Sequence, residues 1–145
     1  MRALIFTVER HAFAVPVDCI EEVFQAALPQ PCPRPPYGCL GVIEVRGRTV
    51  PVLDVAPLLH LRRPLRASSL LNTLLERYML LATVDGASMC LLIDGVVDVS
   101  DHVGSAEAGP HQPGVVRTGE LTAQLLDLAV IIAPPRRRLL AKVRS

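Results

Sequence analysis

Apolar residues fall along this chain in short runs, separated by polar or glycine-containing breaks, and the runs have the length of β-strands. Residues 3–8 (ALIFTV) open on an alternating strand pattern, and with 12–17 (AFAVPV) they read as a hairpin turned by polar Glu9–His11. From Val17 to Phe24 the pattern is ambiguous. Ile20, Val23 and Phe24 suit a helical turn, while Val23–Phe24 could equally begin a strand. The stretch ALPQPCPRPPYG carries five prolines between 29 and 36, too dense for a regular ladder, and reads as an ordered or semi-extended loop. Strands resume at 41–45 and 48–55 across Arg46-Gly47, where glycine supplies the positive φ of a tight turn. Pro51 has no N–H to give a ladder, which places it at an edge or a bulge. Residues 68–77 (SSLLNTLLER) are the clearest helix: Leu70, Leu71, Leu74 and Leu75 make one apolar stripe, with Ser68 or Ser69 as N-cap. Strands near 78–84, 88–93 and 96–99 follow, then a polar loop over 101–113. Strands near 114–118 and 121–127 come next, before a short apolar end at 128–133 that Pro134-Pro135 stops.

The runs repeat. Residues 2–23 align without a gap on 78–99, setting Leu4 on Leu80, Thr7 on Thr83, Val8 on Val84, Asp18 on Asp94 and Val23 on Val99. Residues 41–56 align on 114–129, with Gly41 on Gly114, Leu53 on Leu126 and Asp54 on Asp127. Two blocks in the same order argue for two copies of one supersecondary unit, about 2–59 and 78–132, joined by the helix over 68–77. Short strands in two copies predict a mostly-β fold of two small barrels with few short helices.

Composition narrows the function by exclusion. The chain has 145 residues, half of them hydrophobic, and a formal net charge of +1, without the basic footprint of a nucleic-acid binder. Its one basic cluster, Arg136–Arg138 with Lys142 and Arg144, reads as a solvated tail over 136–145. No run approaches a membrane span, and the start lacks the pattern of a signal peptide. The expectation is a cytoplasmic protein with Cys19, Cys32, Cys39 and Cys90 reduced. These cysteines, and His11, His60, His102 and His111, are too scattered for paired metal ligands, so neither metal nor other cofactor is expected.

No catalytic constellation emerges. Glu21 and Glu22 are adjacent, so on a strand they would face opposite ways and on a helix lie about 100° apart. Asp54 and Asp127 precede apolar turns and read as N-cap or turn residues; Asp18 and Asp94 read likewise. Cys19 with His11 would need a third, orienting group. No glycine-rich phosphate loop is present. What remains is surface, and a near-neutral domain without a reactive cluster points to protein binding. Arg46 stands out, because it occupies a hairpin turn where Asn or Asp would serve the backbone better. Its guanidinium could make a bidentate contact with a partner's oxygens.

Several motifs, in order, carry a family resemblance over roughly residues 3–133: FTV, AFAVPV and IEEV; the proline-rich loop ending in YGCLG; GVIEVRGRTVPVLDV; LLIDGVVDV; and a closing GVV…LLDL. The chain resembles the CheW-like family, the coupling proteins of bacterial chemotaxis and related signalling arrays. The resemblance implies one domain over 1–135, built as two pseudo-symmetric five-stranded SH3-like β-barrel subdomains with a hydrophobic core between them. It also implies a non-enzymatic adaptor at membrane-associated arrays. Its partners would be the cytoplasmic tip of a chemoreceptor (a methyl-accepting chemotaxis protein) and the regulatory domain of a CheA-type histidine kinase. Carried over by position, the receptor-facing groove would include Ile20, Gly41, Val42, Val45 and Arg46. The alternative is a divergent CheW-like scaffold that binds only one of those partners, or itself. An exposed leucine stripe at Leu70, Leu71, Leu74 and Leu75 would favour it.

Overall fold

The computed structural model describes residues 2–100, 103–104, 115–118 and 121–131. The polar loop at 101–113, Gly114 and the basic tail at 136–145 fall mostly or wholly outside these described residues, as do the last two residues of the apolar end at 128–133.

The first half of the chain forms β1 (Ala3–Val8), β2 (His11–Pro16), β3 (Ile20–Gln25), β4 (Cys39–Val45) and β5 (Arg48–Asp54). The ambiguous stretch is a strand at the residues that suited a helical turn: Ile20, Val23 and Phe24 all lie in β3, after a 3-10 turn over Val17–Cys19. Helices α1 (Val55–Leu58) and α2 (Ala67–Leu74) lead to β6 (Tyr78–Val84), β7 (Ala87–Ile93) and β8 (Gly95–Ser100). After them come β9 (Val103–Gly104), β10 (Val115–Thr118), β11 (Leu121–Leu125) and α3 (Leu128–Ile131). The fold is mostly β with few short helices, as expected.

The two sheets exchange hairpins. One has the order β8-β1-β2-β11-β10-β9, the other β3-β6-β7-β5-β4. Matching β1-β2 to β6-β7, β3 to β8, β4 to β10 and β5 to β11 superposes one order on the other, with the two-residue β9 as the only addition. Each sheet therefore takes its central hairpin from one half of the chain and its flanks from the other. The crossing contacts are parallel where β11 meets β2 and β5 meets β7, and antiparallel where β8 meets β1 and β3 meets β6. Six described strands rather than five make up the first sheet, and among the described residues neither ladder closes into a ring.

Both faces of each sheet are apolar, which explains the nearly continuous hydrophobic runs. Along β1, Leu4, Phe6 and Val8 enter a core shared with Leu53, Leu80, Met89, Leu91 and Ile93 of the other sheet. The alternate residues Ala3 and Ile5 enter a second cluster with Ala14 and Ala123. In the five-stranded sheet the face turned away from the shared core carries Val50, Val52, Met79, Leu81, Cys90 and Leu92, together with Ile43 and Leu74. Three apolar layers result, with the largest between the sheets. The alternating pattern read for 3–8 is not what the burial of β1 shows: Ala3, Leu4, Ile5 and Phe6 are all buried.

Pro51 corrects a second expectation, since β5 lies inside its sheet between β7 and β4. Val42 faces Pro51 across β4–β5, yet its own N–H and C=O both bond to Gln30 on the other side. The Pro51 nitrogen therefore points toward β7, and pairing with β7 begins only at Val52. The missing donor falls one residue short of the ladder that would need it.

Candidate functional site

The β4–β5 hairpin turns on Arg46 (φ 51°) and Gly47 (φ 77°), both left-handed as a two-residue hairpin requires. A non-glycine residue pays strain there, and Arg46 gains a partner in return: its Nη2 lies 2.9 Å from Glu22 Oε2. The Arg46 side chain nevertheless stays 67% exposed. Two residues on, Arg48 Nη2 donates to Glu21 Oε2 at 2.6 Å and Nη1 to Ser88 Oγ at 3.3 Å. Thr83 Oγ1 donates to Glu21 Oε1 at 2.9 Å and lies 3.3 Å from Ser88 Oγ, closing a ring of four side chains. The hydrogen bond from Arg48, then that from Thr83, hold the Glu21 carboxyl below its ordinary value.

Adjacent carboxylates reach arginines two residues apart because β3 carries a bulge, its register with β6 shifting between Ile20 and Glu22. Opposed faces, the expectation for Glu21 and Glu22 on a strand, do not survive that extra residue. The consequence is architectural as well. β3 and β4 are the two edges of the five-stranded sheet, and the pairs Glu22–Arg46 and Glu21–Arg48 tie the β3 edge to the turn and the β5 start of the β4–β5 hairpin. Side chains complete the curl that the backbone ladder leaves open.

The other positions of the expected groove lie in two places. Ile20, at the start of β3, is half-buried against the intersheet core, and Val45 packs on the opposite face of its sheet. Both lie close in sequence to the Glu22–Arg46 pair. Gly41 and Val42 sit toward the other end of β4, about 17 Å and about 13 Å from Arg46 at a strand's rise per residue. There the proline-rich loop closes over them: Gln30 N–H donates to Val42 O at 2.7 Å, and Val42 N–H to Gln30 O at 2.8 Å. A Cβ on Gly41 (φ 135°) would collide with the Gln30 carbonyl oxygen. Gly41 is therefore buried, and it admits the loop.

Sequence reasoning missed the most buried charge. Asp54 is 1% exposed, and Arg62 grips it with Nη1 to Oδ2 at 2.7 Å and Nη2 to Oδ1 at 2.9 Å. Arg62 Nε also donates to Glu9 Oε1 at 2.9 Å. Burial raises the Asp54 pKa, outweighing the lowering by Arg62. For Arg62 burial acts to lower the pKa, and the bonds and charge of Asp54 and Glu9 prevail and raise it. Asp54 occupies the N-cap position of α1, but its side chain makes no cap bond. Its repeat counterpart Asp127 does behave as read, accepting from Ala129 N–H at 3.0 Å. Asp94 accepts from Glu9 N–H at 2.8 Å and pairs with Arg77 Nε at 3.2 Å. Arg62 and Arg77, one near each end of the α2 linker, thus both anchor to the β1–β2 turn region. The available signal was an aspartate closing the buried run VPVLD, which needs a cation nearby.

The leucine stripe of α2 divides. Leu74 is buried and Leu70 half-buried against the five-stranded sheet, whereas Leu71 and Leu75 are 61% and 63% exposed. Neither serine is the N-cap: Arg66 holds that position, and Ser69 Oγ donates to its carbonyl at 3.1 Å. Among the thiols, burial pushes Cys39 up to about 11 and Cys90 up to about 12, the opposite direction from an activated nucleophile. Among the described residues no cluster of three or more His, Cys, Asp or Glu could hold a metal ion, and no helix is long and apolar enough to cross a membrane. An open cleft of about 610 Å³ beside β2 and β11 is lined, among the described residues, by His11, Phe13, Leu59, Leu61, Thr122 and Gln124, with His11 the only ionisable side chain of that described lining.

Comparison with known proteins agrees with this geometry. The fold matches the crystal structure of the scaffolding protein TtCheW from Thermoanaerobacter tengcongensis, with a TM-score of 0.75 at 16% identity. That match covers 93% of this chain and 89% of the other. No curated protein sequence matches the chain. A family model, that of the CheW-like domain, matches residues 2–135. With nearly the whole described chain inside that match, and its sheets arranged as in a scaffolding protein of that name, this protein belongs to the CheW-like family.

Proposed function

We propose that this CheW-like chain is a non-enzymatic adaptor coupling the cytoplasmic tips of chemoreceptors to the regulatory domain of a CheA-type histidine kinase. It would work in the cytoplasm, recruited to receptor arrays, as one domain of two intertwined repeats. The observation that carries this reading is Arg46, an exposed cation on a tight hairpin, held in one orientation by Glu22 at 2.9 Å. A guanidinium fixed at one edge keeps donors free for a partner, and its ordering entropy is already spent before binding. Ile20 and Val45, each part-exposed, flank the pair on opposite faces of the sheet, and Val45, next to Arg46 in the chain, would add apolar surface for the side chains of a helical hairpin. Gly41 and Val42 act in this reading through the loop they carry.

Binding of the purified chain to a receptor-tip fragment and, separately, to the kinase regulatory domain tests the proposal. Saturable binding to both is expected. Binding to only one would replace the coupling role with that of a divergent scaffold, and binding to neither would remove it.

A further inference from the structure

The proline-rich loop brings together two thiols that the proposed coupling surface does not use. Cys32 lies in the loop and is part-exposed, whereas Cys39 opens β4 and is 8% exposed. Backbone pairing sets them opposite one another. Gln30 and Val42 form an antiparallel bridge, so each step forward along the loop is matched by a step back along β4. Two steps forward from Gln30 reach Cys32. Two steps back from Val42 reach Leu40, where β4 carries an extra residue, its register with β5 shifting between Cys39 and Gly41. Cys32 therefore falls opposite the Cys39–Leu40 bulge.

Side-chain direction then selects Cys39. Leu40 packs against the cluster of Ile43 and Val52, whereas Cys39 belongs to the intersheet core and Cys32 packs against that same core. The two thiols interact directly, and between them the chain returns through a tight turn in which Cys39 N–H donates to Pro36 O at 3.0 Å. Opposed residues of antiparallel strands stand about 4.5–5.5 Å apart at Cα, within the span of a disulfide. Environment divides the chemistry between them. Cys32 reaches solvent and can meet a small oxidant. Burial, and after it the neighbouring Cys32 thiol, raise Cys39 to about 11, outweighing the bond from its Sγ to Gly41 O. Cys39 is thus sheltered from reagents in solution and reacts with a sulfur delivered beside it.

We propose that Cys32 and Cys39 are a disulfide-forming modification site, oxidised by a low-molecular-weight disulfide, whose closure pins the proline-rich loop to β4. In the first step the Cys32 thiolate attacks one sulfur of the oxidant; that S–S bond breaks, one thiolate leaves, and Cys32 carries a mixed disulfide. In the second, the Cys39 thiolate attacks Cys32 Sγ and the other thiolate leaves. Two protein thiols are oxidised, one small disulfide is reduced to two thiols, and the cysteine protons pass to the leaving groups. The new bond closes just beyond the Gln30–Val42 bridge and reinforces it. The site uses neither Arg46 nor the β3 carboxylates, and so stands independently of the adaptor reading.

Equilibration of the full chain in glutathione buffers of graded ratio tests it, read by acid quenching, alkylation in denaturant and peptide mass mapping. The expected product is one Cys32–Cys39 bond, with Cys19 and Cys90 alkylated as free thiols. Cys39→Ala should stop the reaction at a glutathione adduct on Cys32, and Cys32→Ser should leave Cys39 free. The oxidised wild type should also exchange its Gln30 and Val42 amides at least tenfold more slowly than the reduced chain. A wild type whose four cysteines all stay free at every ratio would overturn the proposal. So would a glutathione adduct on Cys32 that never passes to Cys39, or a bond joining either residue to Cys19 or to a second chain.

Discussion

Glu22, on the edge strand β3, and Arg46, in the turn that follows the edge strand β4, meet at 2.9 Å, although β3 and β4 are not neighbours in the sheet. The pair has a structural and a presenting role, and the two separate experimentally. An exposed ion pair contributes less than about 1 kcal/mol to stability. An arginine at the centre of an interface contributes more than that to affinity. Arg46→Ala should therefore leave the melting temperature within a few degrees of wild type while weakening receptor-tip binding about tenfold, read by titration calorimetry. Unchanged affinity in the folded variant would remove Arg46 from the contact.

Asp54 with Arg62 should behave in the opposite way, altering stability and leaving binding intact. Removing one partner of a buried pair strands the other charge, at a cost of about 3–5 kcal/mol. Arg62→Met should thus destabilise the fold by roughly that amount in urea unfolding at neutral pH. The sign of its pH dependence follows from Asp54. Its folded pKa lies above the ordinary 3.8, so the folded state holds the proton more tightly and stability falls as pH rises through that window. Loss of Arg62 raises the folded value further. The deficit of Arg62→Met should consequently be largest near neutral pH and shrink as the solution is acidified toward protonated Asp54. A deficit independent of pH would mean that the lost packing of the arginine stem, and not its charge, accounts for the effect.

Gly41 tests whether the proline-rich loop is part of the site. Its positive φ and the Gln30 carbonyl above it leave no room for a methyl group. Gly41→Ala should cost about 2–3 kcal/mol and detach the Gln30–Val42 bridge, raising amide exchange at both residues. If the loop forms one wall of the receptor surface, affinity falls along with the exchange protection. Full affinity with a detached loop would confine the surface to the Arg46 end of β4.

Much of this fold was legible because its strands are short and its turns conspicuous. Arg46-Gly47 ended a strand as glycine turns do, and the duplicated order of 2–23 and 78–99 pointed to a repeated architecture before any strand was placed. Particular tertiary facts were not legible. A bulge at Glu21 cannot be read from two adjacent glutamates, because local alternation gives no sign of a register shift. Pro51 looked unfit for an inner strand, since the sequence does not say where pairing with β7 begins. Leu70 and Leu71 are neighbours in one stripe, and only the approach of the sheet sends one inward and leaves the other outside. Arg62 reaches Asp54 across a loop, so no spacing rule links them. The expected groove residues could be named by resemblance, but the covering of Gly41 by Gln30 depends on the loop's path and not on its composition.

The coupling claim is tested most directly by bridging. Receptor-tip fragments displayed on beads are incubated with the kinase regulatory domain, with and without the chain, and the sedimented kinase is measured. The account predicts that kinase sediments only when the chain is present, in proportion to it, and that Arg46→Ala reduces this about tenfold. Kinase that sediments equally without the chain, or that displaces it from the beads, would contradict the adaptor role.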